Sequence, residues 1–370
     1  MKNIDRREWL KTLGLSGGMA LLGGTDIFAF DIPSRTILSD SPIMLNANEN
    51  AYGPSERVRR VISEHLYEGC RYPFRSLSTL VKLIAEKEGV HKDSIVITGG
   101  STEGLKATGL VYGLNGGEII AADPTFQAML SYAETFKAKI HRVPLNEKLE
   151  HDLDAMAAKI NNKTKLIFIC NPNNPTGTLL DKNHLMDFCK SHDKSAIIFS
   201  DEAYYDFITE PDYPSMTTLV KEGRNIIVSK TFSKVYGLAG LRVGYLIAKP
   251  EIAKKLKAAV MANTNILAIE AAKEALKDDE FYKYSITQNY KAKEMIYDSL
   301  NKLGMEYINS HTNFVFFKTG MPITSFSEQM SEKNIIVGRP FPPLLDWARI
   351  STGKLEDIKA FTKALEATMS

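Results

Sequence analysis

Seven short apolar runs alternate with stretches of helical periodicity, and this alternation constrains the fold of the chain more than any other feature. The runs are rich in Ile and Val and are punctuated by Pro, Gly or Asp: SIVIT (94–98), EIIAA (118–122), AKIHRV (138–143), KLIFIC (165–170), SAIIFS (195–200), NIIVS (225–229) and VGYLIA (243–248). Such runs predict strands that are buried on both faces. The i, i+3, i+4 spacing of apolar residues in 102–112 and 182–192 predicts helices between them. Strands that alternate with helices favour an α/β fold with a mostly parallel sheet.

The last third of the chain has a different pattern. Long helical stretches beyond residue 250 are followed by the apolar runs FVFFK (314–318), NIIVG (334–338) and WARIST (347–352). This order predicts a smaller α+β domain that also takes in part of the N-terminal segment. We therefore predict four parts: a signal segment 1–30, an N-terminal arm with part of the small domain 31–75, a large domain 76–260, and a linking helix with the C-terminal small domain 261–370.

The charge balance and the cysteine spacing indicate which partners and metals are not expected. The formal net charge of the 370-residue chain is only +2, so the sequence gives no reason to expect a nucleic-acid partner, which would need a concentrated basic face. The three cysteines, Cys70, Cys170 and Cys189, lack the CxxC spacing of a zinc or redox site. We therefore expect free thiols and no metal centre.

The first thirty residues have the composition of a targeting segment. Arg6 and Arg7 precede a mildly apolar, glycine-interrupted stretch at 13–22, a pattern that resembles a twin-arginine export signal. The stretch is too short for a stable membrane span, for which about twenty apolar residues are needed. We expect export of the folded protein to the periplasm, with an amphipathic arm on a cytoplasmic protein as the alternative. No clear A-x-A cleavage site precedes Asp31.

Polar motifs follow the predicted strands. Because ligands of parallel α/β sheets collect at the carboxyl ends of the strands, these motifs predict one common site. They are GGSTEG (99–104), NPNNPTG (171–177), SDEAY (200–204), KTFSK (230–234) and GLAGLRVG (237–244). The glycines and hydroxyls of 99–104 lead into a helix whose first N–H groups suit a phosphate, although Ser and Thr also cap helices routinely. The Asn-Pro dipeptides of 171–177 would equally fit a tight turn.

In this order and spacing, the motifs resemble those of the class I and II aminotransferases of fold type I, which use pyridoxal 5'-phosphate. The greatest likeness within that family is to histidinol-phosphate aminotransferases, which the segments LNANENAYGP (45–54) and RYP (71–73) also resemble. The resemblance implies an aspartate-aminotransferase-like fold, with a large domain built on a mostly parallel seven-stranded sheet and a smaller α+β domain. Ala51 departs from the family, which usually has proline at that position.

The resemblance assigns the catalytic roles. Lys234 would hold the cofactor as a Schiff base, a role that requires a primary amine, and Asp201 would pair with the pyridine nitrogen. Asn174 and Tyr204 would hydrogen-bond the phenolate oxygen of the cofactor and tune its electronics. These side chains all follow predicted strands, so the chemistry and the expected topology agree.

Further residues match cofactor-binding positions of the family. Those that would surround the cofactor phosphate are Gly100, Ser101, Thr102, Thr231, Ser233 and Arg242. Phe126 falls where the family stacks an aromatic ring on the pyridine, and as a phenylalanine it keeps the stacking but lacks a hydroxyl. Tyr72 falls where the family sends a phenol to the phosphate of the neighbouring subunit, which implies a homodimer with shared sites.

The substrate side of the site is also implied by the resemblance. Arg349, in WARIST, matches the arginine that clamps a substrate carboxylate with its planar fork, and Arg339 could join it. In histidinol-phosphate enzymes the corresponding pair serves a phosphate, so the anion that these arginines bind stays open. Asn174 would also face the substrate, and Tyr52 with Asn48 would line its entrance.

The expected reaction is transfer of an amino group between an L-amino acid, or histidinol phosphate, and a 2-oxo acid. A broad L-amino-acid donor range is favoured, because an exported enzyme would not meet the cytoplasmic intermediates of histidine synthesis. Two alternatives remain: a decarboxylase of an amino-acid phosphate that uses the same cofactor, and a non-catalytic module that only binds it. Formation of the amino form of the cofactor without CO₂ release would separate transamination from decarboxylation.

Overall fold

A computed structural model of the protein describes residues 41–369. The predicted export signal at 1–30 and the first residues of the predicted arm lie outside the described residues. Within 41–369, every helix is too short or too polar to cross a membrane.

A seven-stranded sheet forms the centre of the fold. Its strands are β2 (Ile95–Thr98), β3 (Glu118–Asp123), β4 (Lys139–Pro144), β5 (Thr164–Cys170), β6 (Ile197–Asp201), β7 (Ile226–Thr231) and β8 (Gly244–Ala248). The spatial order is β2-β8-β7-β6-β5-β3-β4, and only β8 runs antiparallel to its neighbours. The prediction of a mostly parallel sheet from the apolar runs is therefore confirmed.

Alternating side chains bury both faces of this sheet. In β5, Ile167 and Ile169 join one apolar cluster while Leu166 and Phe168 join the other. This division follows from the period of two in a strand, which sends successive side chains to opposite faces. Because every position of β5 other than Lys165 is buried, the strand reads as a continuous apolar run rather than as an alternating one.

The prediction that all seven runs are buried on both faces is wrong for β4. Only Val143 of this strand is buried, while Lys139, Arg142 and Pro144 are exposed. The reason is topological, because β4 is the last strand in the sheet order and pairs only with β3. An edge strand of this kind tolerates charged and proline residues, which discourage pairing with another chain.

Helices pack around the sheets in the described part of the chain. They are α1 (Glu56–Glu64), α2 (Phe74–Glu88), α3 (Ser101–Gly113), α4 (Ala128–Thr135), α5 (Leu153–Ala157), α6 (Lys182–His192), α7 (Thr217–Lys221), α8 (Pro250–Ala259), α9 (Ile266–Ala275), α10 (Asp279–Lys302), α11 (Ile323–Glu332) and α12 (Leu355–Met369). The predicted helices 102–112 and 182–192 correspond to α3 and α6. Asp181 caps α6 by accepting from the backbone N–H groups of Asn183 and His184, which explains why that helix begins where it does.

A second apolar core lies in the C-terminal part of the chain. Here β9 (Phe314–Lys318) pairs antiparallel with β11 (Trp347–Ser351), and β1 (Ile43–Met44) pairs with β10 (Ile335–Ile336). Leu45, which follows β1, is buried in the same cluster as residues of α10, α11 and α12. The predicted smaller α+β part, which was expected to include some N-terminal residues, thus has an apolar core of its own. The exact domain bounds stay a prediction.

Candidate active site

A cavity of about 360 Å³ lies at the carboxyl ends of β5, β6 and β7. The strand register brings Cys170 of β5 opposite Asp201 of β6, and Asp201 opposite Ser229 of β7. The segments that follow these strands therefore open onto one space, as the strand-end rule predicted. The predicted residues that line the cavity are Asn48, Ser101, Thr102, Phe126, Asn174, Asp201, Tyr204, Thr231, Ser233, Lys234, Arg242 and Arg349.

Lys234 presents its amine to this cavity from the turn after β7. Its Nζ donates to the carbonyl oxygen of Asn48 at 2.8 Å and lies 5.4 Å from the centre of the Tyr204 ring. Burial, and secondarily the positive charge of Arg349, lower the pKa of Lys234 to about 8. A substantial fraction of this amine is therefore neutral near pH 8 and able to act as a nucleophile or a base.

The other lysine of the KTFSK motif is in a different environment. Lys230 forms ion pairs with Glu88 at 3.0 Å and with Glu202 at 3.7 Å. Burial acts to lower its pKa, but the carboxylates of Glu202 and Glu88 outweigh burial and the pKa is raised. Lys230 is therefore held as a charged structural group, which leaves Lys234 as the reactive amine of the motif.

Asp201 is the buried carboxylate of the site. Its side chain is 2% exposed, and its Oδ1 atom has no hydrogen-bond partner among the described residues. Burial raises the pKa of Asp201 to about 7, although the nearby Ala203 backbone and Ser229 hydroxyl act to lower it. A buried acceptor without a partner is costly, so this oxygen is suited to a cationic N–H donor from a ligand.

Asn174 and Tyr204 belong to a hydrogen-bonded group beside Lys234. The Nδ2 of Asn48 donates to the Tyr204 hydroxyl at 3.0 Å, and the Nδ2 of Asn174 does so at 3.4 Å. Burial raises the pKa of Tyr204, so its hydroxyl keeps its proton at ordinary pH and remains a donor. The loop NPNNPTG therefore does more than form a turn, because it places the side-chain amide of Asn174 at the cavity wall.

Arg349 is a buried cation without a salt-bridge partner in the part of the chain that the structure describes. Its Nη1 donates to Oδ1 of Asn174 at 2.6 Å and its Nη2 to the carbonyl oxygen of Asn46 at 2.8 Å. The Nε atom has no partner, and burial lowers the pKa of the guanidinium to about 10. The guanidinium also lies 4.9 Å from the centre of the Phe341 ring. Such a desolvated cation is suited to an anionic substrate group.

A second set of groups suited to an anion lies at the N-terminus of α3 and in the segment after β7. No described side chain caps the first turn of α3, so the N–H groups of Ser101 and Thr102 remain available. Arg242 donates to the Ser233 hydroxyl at 3.4 Å and forms no salt bridge with a described residue. A Cβ on Gly100 would collide with the Arg242 guanidinium, so glycine at this position lets the arginine approach the helix terminus. These groups suit a phosphate.

Four predicted site residues do not line this cavity: Gly100, which lies against the Arg242 guanidinium, and Tyr52, Arg339 and Tyr72. Tyr52 lines a small neighbouring pocket, where its ring packs edge-on against Tyr284 at 5.2 Å. Arg339 is exposed, with its guanidinium 4.5 Å from the centre of the Phe341 ring, on which Arg349 also packs. Tyr72 is 80% exposed and stacks on Phe74 at 5.7 Å. Their roles stay predictions.

Sequence reasoning missed several residues of the site. Asn46 and Ala47 supply backbone carbonyls to Arg349 and Lys234, and Glu49 lines the cavity. The segment 45–54 was singled out as a motif, but side chains alone cannot reveal a role that the backbone fulfils. Cys170 also lines the cavity, and its place at the last position of a predicted strand was a usable signal.

Comparisons with known proteins agree with this geometry. The sequence model of the family described as aminotransferase class I and II matches residues 40–365. The chain is 38% identical over 297 residues to the histidinol-phosphate aminotransferase of Moorella thermoacetica, an alignment that covers 80% of this chain and 77% of that protein.

Solved structures share the fold. The histidinol-phosphate aminotransferase of Sinorhizobium meliloti, solved in complex with pyridoxal-5'-phosphate, matches with a TM-score of 0.82 at 23% identity, over 89% of this chain and 91% of that one. The aspartate aminotransferase of Thermotoga maritima matches with a TM-score of 0.79 at 23% identity, over 89% and 92%. The predicted aspartate-aminotransferase-like fold is confirmed.

Proposed function

Because this chain belongs to the class I and II aminotransferases, we propose that it moves an amino group between an L-amino acid and a 2-oxo acid with pyridoxal 5'-phosphate as cofactor. The observation that carries this proposal is one cavity lined by an amine whose pKa is lowered, Lys234, and a buried carboxylate with a free acceptor atom, Asp201. A protein that only bound the cofactor would need the amine of Lys234 but not the carboxylate of Asp201.

The residues present fit this cofactor. The unpartnered Oδ1 of Asp201 suits the protonated pyridine nitrogen, and the ring of Phe126 lines the cavity where a flat heterocycle would lie. Arg242 and the uncapped N-terminus of α3 suit the phosphate. When bound, the cofactor supplies a conjugated ring that accepts the electrons released at the donor Cα atom.

The reaction requires a proton to leave the donor Cα atom and to be delivered elsewhere. Lys234 Nζ is the group for this transfer, because its pKa of about 8 lets it accept and return a proton near neutral pH. The hydrogen bond from Nζ to the Asn48 carbonyl oxygen holds the amine at the cavity wall. Asp201 would place a negative charge beside the pyridine nitrogen and so favour the protonated form of that nitrogen. Tyr204, whose hydroxyl keeps its proton and accepts a hydrogen bond from Asn48, would donate that proton in a hydrogen bond.

Arg349 would orient the donor. Its guanidinium is fixed by Asn174 and by the Asn46 carbonyl, which leaves the Nε edge to receive an anion. An α-carboxylate fits this role in a broad-range enzyme. A phosphate fits it in an enzyme for histidinol phosphate, and the names of the relatives favour that rival donor. Replacing Arg349 with lysine should raise KM for the accepted donor at least tenfold, since the planar fork is lost while the charge remains.

A donor screen tests the proposal. The cofactor-loaded protein is mixed with single L-amino acids or with histidinol phosphate, and the visible absorbance of the bound cofactor, the 2-oxo acid formed and the CO₂ released are measured. Transamination predicts loss of that absorbance with no CO₂ and its return when a 2-oxo acid is added. Lys234→Ala is the control and should show no turnover. CO₂ release would support the decarboxylase alternative, and cofactor binding without any turnover would support the non-catalytic one.

Reaction with histidinol phosphate alone would overturn the broad donor range while leaving aminotransferase chemistry intact. Such an outcome would assign the anion at Arg349 as a phosphate.

We further infer that the protein acts as a homodimer in which Tyr72 reaches the site of the neighbouring subunit. The support is an exposed apolar surface around the 3₁₀ turn Leu66–Cys70: Leu66, Tyr67, Tyr72 and Phe74 are all more than half exposed. Large apolar side chains clustered at a surface are typical of an interaction site. The family resemblance supplies the identity of the partner, a second copy of this chain.

We also propose export by the twin-arginine route, on the sequence pattern around Arg6 and Arg7. This route transports folded proteins, so it suits an enzyme that must bind its cofactor before it leaves the cytoplasm. Cell fractionation is the test. The wild-type protein should be found in the periplasm and the double variant Arg6→Lys, Arg7→Lys in the cytoplasm, whereas an equal distribution of the two would refute export by this route.

A further inference from the structure

The segment 46–49 runs along the cavity as a strip with a defined direction. The carbonyl oxygen of Asn46 accepts from Arg349 Nη2 at 2.8 Å, and the carbonyl oxygen of Asn48 accepts from Lys234 Nζ at 2.8 Å. The segment thus contacts first the anion-binding arginine and then the reactive amine, and its next residue, Glu49, lines the same cavity. A donor held at Arg349 with its Cα atom beside Lys234 would extend its side chain towards Glu49.

The backbone of Glu49 is fixed, while its carboxylate is free. Its carbonyl oxygen accepts from Nδ2 of Asn313 at 3.3 Å, and the same Nδ2 donates to the Asn48 carbonyl at 2.9 Å. Asn48 itself has a φ of 54° and is anchored through Ser351, whose hydroxyl accepts from its backbone N–H at 2.7 Å. Within residues 41–369 the Glu49 carboxylate forms no hydrogen bond and no ion pair.

Glu49 is exposed, yet it lines the active-site cavity and also the small pocket beside Tyr52. Its negative charge acts on the site, because it is among the groups that raise the pKa of Lys234 against the larger effect of burial. Of the residues that line the cavity, Asp201 and Glu49 are the carboxylates. Asp201 is fully buried and assigned to the cofactor, so Glu49 is the acid that a substrate side chain would meet.

We propose that Glu49 determines donor specificity, by attracting amino donors whose side chain carries a positive charge or an N–H group at its far end and by repelling acidic side chains. This inference rests on the proposed aminotransferase function and names the class of donor. The contribution expected from one exposed carboxylate at a few ångströms is a change of about tenfold in relative specificity.

Matched pairs of donors isolate the charge effect. L-lysine is compared with L-norleucine, and L-glutamate with L-glutamine, because the members of each pair have side chains of similar length. For Glu49→Gln, the kcat/KM ratio of lysine to norleucine should fall about tenfold and that of glutamate to glutamine should rise, mainly through KM. For Glu49→Lys, both ratios should move further in the same directions. Glu332→Gln, at the end of α11 and outside the cavity, is the matched control and should leave both ratios at the wild-type values.

The outcomes separate this inference from the function on which it rests. If the wild-type protein transaminates norleucine but Glu49→Gln keeps both ratios within twofold of wild type, the specificity role is wrong and the aminotransferase function stands. If the wild-type protein transaminates neither these four donors nor histidinol phosphate, the proposed function itself fails. A second measurement avoids any dependence on the variants: in the wild-type protein, added salt should lower the lysine preference over norleucine, because exposed charges are screened. A preference that is unchanged between low and high salt would also overturn the proposal.

Discussion

At the scale of single residues, burial penalises the charged forms of both groups assigned to the chemistry. Burial raises the pKa of Asp201 to about 7 and lowers the pKa of Lys234 to about 8, so both are poorly solvated as ions. Lys230 is almost as well buried but is paired with two carboxylates and keeps its charge. Perturbed and unpaired groups at the end of a sheet are characteristic of functional sites.

Asp201→Asn should nearly abolish catalysis. A charge about 4 Å from the cofactor nitrogen, at an effective dielectric near 20, is worth roughly 4 kcal/mol, which corresponds to about a thousandfold in rate. The measurement is kcat with a donor that the wild-type protein accepts. Less than a tenfold loss would mean that the Asp201 charge does not act on the cofactor.

The same variant should make the cofactor-free protein more stable at high pH. The folded pKa of Asp201 lies above its ordinary value, so its charged form disfavours folding; this penalty is complete above about pH 7 and is lost as the pH falls towards 4. Removing the charge should stabilise the fold by on the order of 3 kcal/mol at pH 8 and by much less at pH 5. Thermal unfolding at both pH values checks this, and a difference in midpoint that is independent of pH would contradict it.

Residues at strand ends were predictable, and residues placed by distant packing were not. Lys234, Asp201 and Asn174 follow apolar runs, and parallel topology alone brings such positions together. Tyr52 was expected at the substrate entrance, a role that stays a prediction, and its ring packs against Tyr284 on α10. No local pattern encodes a contact between residues so far apart in the chain, so the direction of that side chain could not be read from the sequence.

At the scale of elements, the N-terminal segment and the turn after β7 depend on each other. Gly237 has a φ of 71°, and a Cβ on it would collide with the carbonyl oxygen of Gly53. The close approach of the two backbones lets the strip 46–49 lie beside Lys234. The glycine of the GLAG motif is therefore needed both for its conformation and for its lack of a side chain.

Gly237→Ala should lower both stability and donor binding. The left-handed φ costs about 1 kcal/mol for alanine, and displacement of the Gly53 backbone adds to that cost. Gly223→Ala is the matched control, because Gly223 has a φ of 76° but nothing within 4 Å of the added Cβ. Thermal unfolding and KM should therefore separate the two variants. Equal effects would mean that the contact with Gly53 is unimportant.

The apolar runs predicted the strands well because burial on both faces leaves a continuous hydrophobic signal. The run AKIHRV also predicted a strand correctly, but its predicted burial on both faces was wrong because β4 pairs with a single neighbour. Its Lys139, His141 and Arg142 were a usable sign of the edge.

At the scale of the whole molecule, the proposed dimer leads to a test by complementation. Lys234→Ala and Tyr72→Ala should each be defective alone, for different reasons. If Tyr72 serves the neighbouring site, a mixed dimer contains one intact site, and random exchange of subunits in an equal mixture should restore about a quarter of wild-type activity.

A second mixture provides the control. Lys234 and Asp201 line the same cavity of one chain, so mixing Lys234→Ala with Asp201→Asn leaves a defect in every site and should restore nothing. Failure of the Tyr72 mixture to recover, with subunit exchange verified, would contradict the shared site.

The bond between Arg349 and the Asn46 carbonyl joins positions 303 residues apart, and Ser351 bonds to Asn48 across the same separation. A nascent chain on the ribosome therefore cannot close the cavity before Arg349 and Ser351 have been translated. Donor binding must then await the synthesis of this segment, and truncated products of interrupted synthesis would lack a complete site even if their central sheet had folded.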